Sequence, residues 1–319
     1  MFEVGIVGAG VHGAAAAFHL ASRGVSTVVF ERGTPASGPT GCSSAVCRAY
    51  YTNEFLAATA QESIDMLEGF EELTGREAGF RRTGFLYLHP PEDTERLTQA
   101  VGRLNAIGVR TDLVGVDDLG AAFPVFRLDD VGMGVWEPGA GYADPTRTTL
   151  ALFDRAVELG AVARLGRTVR PIQLRGDGAA IVDDTGASVA CDRVLIAAGP
   201  WSRPLASAVG ASVPLSVERH VVARFGYDAT EPVPPHADLF HGYYAKPDGD
   251  DFTVGSLHAA ETVDPDAYAD QITDSEVDDF ADVLDDLTFR GGFPLGVVVL
   301  RRRAEPSEPL TVVEHKLDH

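Results

Sequence analysis

Gly8, Gly10 and Gly13 stand at the spacing G-x-G-x-x-G, and an acid, Glu31, follows 18 residues after the last of them. Residues of these types at this spacing can hold a dinucleotide. The first glycine permits a tight turn, the second lets the backbone come close to a pyrophosphate, and the third lets a helix pack closely on a strand. The start of that helix faces the phosphates with N–H groups that have no partner inside the helix. Glu31 is placed to accept hydrogen bonds from ribose hydroxyls. Val11 and His12 fill the turn and count with it as cofactor-lining; His12 reads there as a tolerated turn position rather than a catalytic group.

The fingerprint acts only in the right setting, and the flanking residues supply one. FEVGIV, residues 2–7, runs from alternating to apolar as a short buried strand does, residues 14–22 read as a helix rich in small side chains, and residues 27–30 form a second strand ending at Glu31. Beyond Arg32-Gly33 the pattern changes. A polar Gly/Pro/Ser loop covers residues 34–44. A helix is predicted over 53–74 from Phe55, Leu56, Ile64, Leu67, Phe70 and Leu73, a strand over 83–88 and a surface helix over 94–108. A nicotinamide-dependent dehydrogenase would continue with strands and helices in alternation to fill a doubly wound sheet. This chain does not, which favours FAD over NAD.

Six stretches, in order, strengthen that reading: GIVGAGVHGAAAAFHLASRGVSTVVFERG, GPTGCSSAVCRAYYTNE, RRTGFLYL, GYADPTRTTLAL, RVLIAAGPWS and YYAKPDGDDFTVG. Together they resemble the glycine, sarcosine and D-amino-acid oxidase family of FAD-dependent oxidoreductases, and sarcosine-oxidase-like members above all. The resemblance implies an α/β plus α+β fold, a Rossmann-like FAD-binding domain interleaved with an antiparallel-sheet substrate domain. Residues 1–80 and 144–214 would form the first, residues 81–143 and 215–286 the second, and 287–319 a divergent or truncated tail. It implies oxidation of the C–N bond of a small amine or amino acid to an imine. By the same resemblance Ser43 and Ser44 pass beside the flavin, Arg48 matches an arginine near the isoalloxazine, Val169 contacts the adenine side, and Ala198, Gly199 and Trp201 form a second approach to the cofactor, with Arg32 beside Glu31.

In the second half, Tyr142-Ala143-Asp144-Pro145 leads into a helix over 146–159, with Pro145 suited to its first turn. Short strands over 172–174, 180–183, 188–191 and 217–225, and a hairpin of 242–246 with 252–255 around Pro247-Asp248-Gly249, suit an antiparallel sheet. Tyr243 and Tyr244 alternate on a strand, so only one of them can face a substrate. The resemblance favours Tyr244, and sets His258 within one residue of a substrate-side histidine. From the residues alone, Arg48 is either a functional or a salt-bridging arginine, and His258 either a substrate group or an exposed strand end. Arg219 and His220 either serve a substrate carboxylate or mark a half-exposed strand.

The chain also departs from the family. The family's glycine-rich return loop and final helix at the flavin pyrimidine find no counterpart after Asp286; Gly291-Gly292-Phe293 imitates only part of that loop, and Arg301-Arg302-Arg303 reads as a solvated run. Ala49-Tyr50-Tyr51 follows Arg48 where relatives carry a second arginine, their flavin-side lysine has no match, and no cysteine is placed for a covalent link. An FAD- or ADP-binding remnant, or a subunit whose partner chain completes the flavin site, therefore stands as the alternative.

The formal net charge is −21, from 47 acidic and 26 basic residues, and Lys246 and Lys316 are the sole lysines. Such a field repels nucleic acid and anionic membrane. Acids such as Asp274, Asp278, Asp279 and Asp282 suit a surface kept soluble in salt. Cys42, Cys47 and Cys191 make neither a disulfide framework nor a zinc pattern. With apolar runs short of a membrane span and no secretory pattern at the N-terminus, the expected compartment is the cytoplasm.

Overall fold

A computed structural model describes residues 1–226, 233–249, 251–258, 260–267, 276, 298–302 and 311–315. Gly291-Gly292-Phe293, the acids at 274, 278, 279 and 282, and the side chains of the Arg301–Arg303 run lie outside the described residues. Two large sheets organise the rest. In the six-stranded sheet the order is Val169–Arg175, Gly178–Asp183, Ser188–Ile196, Phe2–Val7, Thr27–Glu31 and Val162–Leu165. Phe2–Val7 lies at its middle, parallel to Thr27–Glu31 on one side and to Ser188–Ile196 on the other.

The helix Val11–Ala21 follows the glycine turn and buries Ala14, Ala17, Phe18 and Ala21. Its methyl-sized side chains let the helix Pro145–Glu158 come close, and Ala151, Leu152, Phe153 and Ala156 of that helix share its core. Asp144 caps the second helix, accepting the Arg147 N–H at 2.8 Å, with Pro145 in the first turn. The helix predicted over 53–74 is two helices, Glu54–Glu68 and Phe70–Thr74, meeting at Gly69. Ile64 and Phe70 of its apolar set are buried, while Phe55, Leu56 and Leu73 are exposed.

The second sheet has nine strands, in the order Thr311–His315, Val298–Arg302, Val222–Gly226, Asp251–Ser256, Tyr243–Asp248, His236–Asp238, Phe85–His89, Met133–Glu137 and Asp112–Val114. Its pairings are antiparallel except that of His236–Asp238 with Phe85–His89. The chain therefore leaves the first sheet after Glu31, builds part of the second, returns through 145–196, and leaves again. In a small third sheet Gly141–Tyr142 pairs with Val46–Cys47 on one side and with Arg81–Arg82 on the other.

Three local expectations change. Strands 172–174, 180–183 and 188–191 extend the six-stranded sheet, not the second one, because Gly178–Asp183 pairs with Ser188–Ile196. The strand expected at 188–191 runs on to Ile196, antiparallel to Gly178–Asp183 at its start and parallel to Phe2–Val7 beyond it. The strand expected from Val217 begins at Val222, with one bridge, Glu218 to Thr262, before it. Among the described residues no helix is long and apolar enough to cross a membrane.

Candidate functional site

The crevice at the carboxyl ends of Phe2–Val7 and Ser188–Ile196 is where an open α/β sheet binds ligands. A cavity of about 610 Å³ opens there, lined by Gly8, Gly10, Val11, His12, Glu31, Arg32, Val169, Ala198, Gly199 and Trp201 among others. Gly8 has φ +104°, and a Cβ on it would run into the Ala197 carbonyl. Gly13 sits one turn into the helix, where a Cβ would overlap the Gly8 carbonyl oxygen. Both are glycine because backbone meets backbone at these points. A Cβ on Gly10 would meet Thr40 Oγ1 alone, at 3.0 Å, so this glycine keeps the cavity side of the turn bare.

The residues fit a dinucleotide. The helix Val11–Ala21 starts from Gly10, which has no side chain to cap it, and carries no acid in its first turn; the Val11 N–H donates to the neutral Thr40 Oγ1 at 3.2 Å, so no charge of the helix itself neutralises its N-terminal field. Arg32, Arg167 and Arg170 line the same cavity and give it local positive charge in an acidic chain. Glu31 holds the turn with both oxygens, accepting the Ala9 N–H at 2.8 Å and the Gly33 N–H at 2.8 Å. Each oxygen keeps a further lone pair for a ribose hydroxyl. At the rim, the Arg32 guanidinium lies 3.6 Å from the centre of the Trp201 ring, and Trp201 Nε1–H donates to Asp266 Oδ1 at 2.7 Å.

Ser43 and Ser44 are not in this crevice. They line a second cavity of about 880 Å³ with Gly41, Cys42, Arg81, Tyr142, Asp144, Lys246, Asp248 and Thr253. The two cavities flank one loop: residues 36–40 line the first and residues 41–44 the second. Lys246 is 5% exposed; its Nζ lies 4.6 Å from the centre of the Tyr142 ring and 3.9 Å from Asp248 Oδ1.

Arg48 stands one residue past the strand Val46–Cys47, outside the lining of both cavities. Its guanidinium donates to the Tyr50 carbonyl at 2.9 Å and lies 4.4 Å from the centre of the Tyr51 ring. Tyr243 is buried in the core of the second sheet, and Tyr244, half-buried, packs its ring over Gly255. His258 is exposed against Gly242, with Nε2 3.2 Å from the His241 carbonyl oxygen, and belongs to neither cavity. Arg219 pairs with Glu276, and His220 lies 3.3 Å from Glu218.

Sequence reasoning missed three residues. Asp266 reaches the crevice from a segment after the second sheet's hairpin, and Lys246 reaches the second cavity from that hairpin. Glu137, at the end of Met133–Glu137, is 1% exposed and accepts the Ala49 N–H at 2.5 Å, the Tyr50 N–H at 3.1 Å and the Tyr87 hydroxyl at 3.0 Å. Burial pushes its carboxyl above the usual range, against those three donors and the Arg48 charge. An acid inside an otherwise apolar strand, MGVWE, was the available signal. Among the described residues no group of His, Cys, Asp and Glu could hold a metal ion.

A family model described as FAD dependent oxidoreductase matches residues 3–295. Mitochondrial dimethylglycine dehydrogenase of Rattus norvegicus is 27% identical over 269 residues, 81% of this chain and 31% of the relative. The 4-methylaminobutanoate oxidase (formaldehyde-forming) of Paenarthrobacter nicotinovorans is 28% identical over 257 residues, 79% of this chain and 31% of the relative. The chain spans about a third of the length of these curated relatives. The crystal structure of L-proline dehydrogenase from P. horikoshii shares the fold, with a TM-score of 0.80 at 20% identity over 91% of this chain and 77% of that one.

Proposed function

The chain belongs to the FAD-dependent oxidoreductase family whose model matches it from residue 3 to residue 295, and from that premise we propose that it oxidises the C–N bond of a small amine or amino acid to an imine. The observation that carries the proposal is the pair of cavities on either side of one loop, the first built for a dinucleotide and the second beside it. Residues 1–80 with 144–214 serve the cofactor in this reading, and residues 81–143 with 215–286 serve the substrate. The relatives' names carry dimethylglycine and 4-methylaminobutanoate, both carboxylates bearing a methylated amine, which supports a substrate of that class.

Bound FAD would supply the electron acceptor for the two electrons and the hydrogen that leave the carbon next to nitrogen. The protein's own part is to bind and orient. The glycine turn and the helix start receive the pyrophosphate, Glu31 the ribose, and the apolar floor by Val169 and Leu205 the adenine side. Ser43 and Ser44 border the reactive end. Lys246 and Arg81 give the second cavity cations for a substrate carboxylate, and Asp248 and Asp144 give it acceptors for an amine. Arg48, carried on the segment that continues from Ser43 and Ser44 but lining neither cavity here, is proposed as a further cation for the substrate carboxylate, and Tyr244 as a substrate-side group. A cytoplasmic location is also proposed, supported by three free thiols at Cys42, Cys47 and Cys191.

Purified protein should show a flavin absorption band and release FAD on denaturation. Anaerobic addition of N-methylated amino acids should bleach that band. A flavin that stays oxidised with every secondary, tertiary and primary α-amino acid offered would refute the reaction while leaving the cofactor assignment standing.

A further inference from the structure

The segment 43–51 lines the second cavity at one end and carries Arg48 near the other. It is held along its length by residues 137–143. Val46 and Cys47 pair with Tyr142 and Gly141, and the Ala143 N–H donates to the Ala45 carbonyl at 3.0 Å. Ala45 itself has φ +49°, a left-handed conformation that a non-glycine residue keeps only when its surroundings impose it. Beyond Cys47 the strand pairing stops. There one side chain takes over: Glu137 accepts the consecutive N–H groups of Ala49 and Tyr50, with Tyr87 donating to the same carboxylate.

We propose that Glu137 is a positioning residue for Arg48, fixing the backbone on its C-terminal side so that the guanidinium is delivered from a rigid segment. The inference rests on the substrate-side reading of Arg48 given above. Two backbone donors on adjacent residues are the geometry that a carboxylate bridges and that no neutral side chain matches, since an amide offers one oxygen and turns an N–H₂ toward the other donor. The contact also spans 88 residues of sequence, so it sets the loop against the sheet rather than within itself. Tyr87 supports the carboxylate from beneath, its ring 4.5 Å from that of Tyr50. The Arg48 guanidinium is held at the Tyr50 carbonyl and the Tyr51 ring, and its charge also favours the ionised Glu137 carboxylate.

Glu137→Gln and Tyr87→Phe test this by two readouts. In the first, hydrogen exchange of residues 46–53 should quicken at least tenfold in Glu137→Gln, with exchange in Phe2–Ala21 unchanged. Exchange as slow as in the parent protein would overturn the proposal, whatever cofactor the chain takes. In the second, acetate is titrated against the flavin band of the FAD-loaded protein. Its dissociation constant should rise about tenfold in Glu137→Gln and by less in Tyr87→Phe, with FAD content unchanged. In an Arg48→Ala background, Glu137→Gln should add no further loss. An equal further loss there would mean that Glu137 acts on structure alone, and would also overturn the proposal. Failure of the parent protein to take up FAD would instead refute the reading of function, and hydrogen exchange would still decide the role of Glu137.

Discussion

A methyl group on Gly13 would overlap the carbonyl oxygen of Gly8, so the third glycine of the turn is occupied by the backbone of the first. Gly8 is held in place by its own N–H, which donates to the Phe30 carbonyl at 2.8 Å. Gly13→Ala should therefore cost about 1–3 kcal/mol of stability, the range for overpacking a fixed site. At Gly10 a Cβ meets only Thr40 Oγ1 at 3.0 Å, on the cavity side. Gly10→Ala should melt within a few degrees of the parent protein and lose FAD binding at least tenfold. Thermal unfolding and fluorescence titration of the two variants separate the roles; equal melting points would count against this division.

Glu31 ties the turn to the end of its strand through Ala9 and Gly33, each at 2.8 Å. Glutamine keeps one acceptor and faces the other N–H with its own donor. Glu31→Gln should cost about 1–2 kcal/mol, the desolvation of one unmatched polar group, and raise the FAD dissociation constant about tenfold. Glu31→Asp shortens the reach and should weaken binding without adding an unmatched donor. Calorimetric titration of both variants checks the order.

The parts of the site that could be read from sequence are those whose partners lie close along the chain. Gly8, Gly10, Gly13 and Glu31 fall within one βαβ unit, and each has a backbone job that its residue type reveals. Tyr243 and Tyr244 turn to opposite faces of their strand as alternation requires, each against a different apolar cluster. What escaped depends on distant partners. Glu137 meets Ala49 across 88 residues, and Asp266 meets Trp201 across 65. Apolar periodicity alone did not mark the Gly69 break, because Leu67, Phe70 and Leu73 continue the pattern across it. Nor did it tell that Ser188–Ile196 would be one strand, since the exposed, charged pair Asp192-Arg193 interrupts its apolar run.

Cys42 is exposed in the lining of the second cavity, whereas burial pushes the Cys47 thiol up to about 11. The thiolate is the reactive form, so at pH 8 Cys47 should react about a hundredfold more slowly than an ordinary thiol. Burial raises the Cys191 thiol as well. Maleimide at pH 7–8 should thus label Cys42 first, and Cys47 labelling should grow as pH rises toward 11. A bulky adduct on Cys42 should lower turnover while leaving FAD content unchanged, because residues 36–40 rather than 41–44 border the nucleotide crevice. Peptide mass spectrometry gives the order of labelling, and first reaction at Cys47 would contradict it.

Trp201, Arg32 and Asp266 close the rim of the nucleotide crevice from three separate stretches of chain. Trp201 Nε1–H donates to Asp266 at 2.7 Å, and Arg32 both covers the indole ring at 3.6 Å and lies 3.5 Å from the same carboxylate. Arg32 and Asp266 are largely exposed, so solvent screens their ion pair, and the stacked cation contributes about 0.5–1 kcal/mol. Asp266→Asn keeps an acceptor for the indole N–H but removes the charge facing Arg32, and should weaken FAD about two- to fivefold. Asp266→Ala removes both contacts and should weaken it further. The chain has two tryptophans, and Trp136 packs in the second sheet against Phe123, so Trp136→Phe leaves Trp201 as the sole reporter. In that background FAD should quench the emission, and Asp266→Ala should shift the emission of the unliganded protein toward that of a hydrated indole. Emission and affinity that both ignore Asp266 would mean that the rim is open in solution and that the crevice holds its nucleotide by the glycine turn and Glu31 alone.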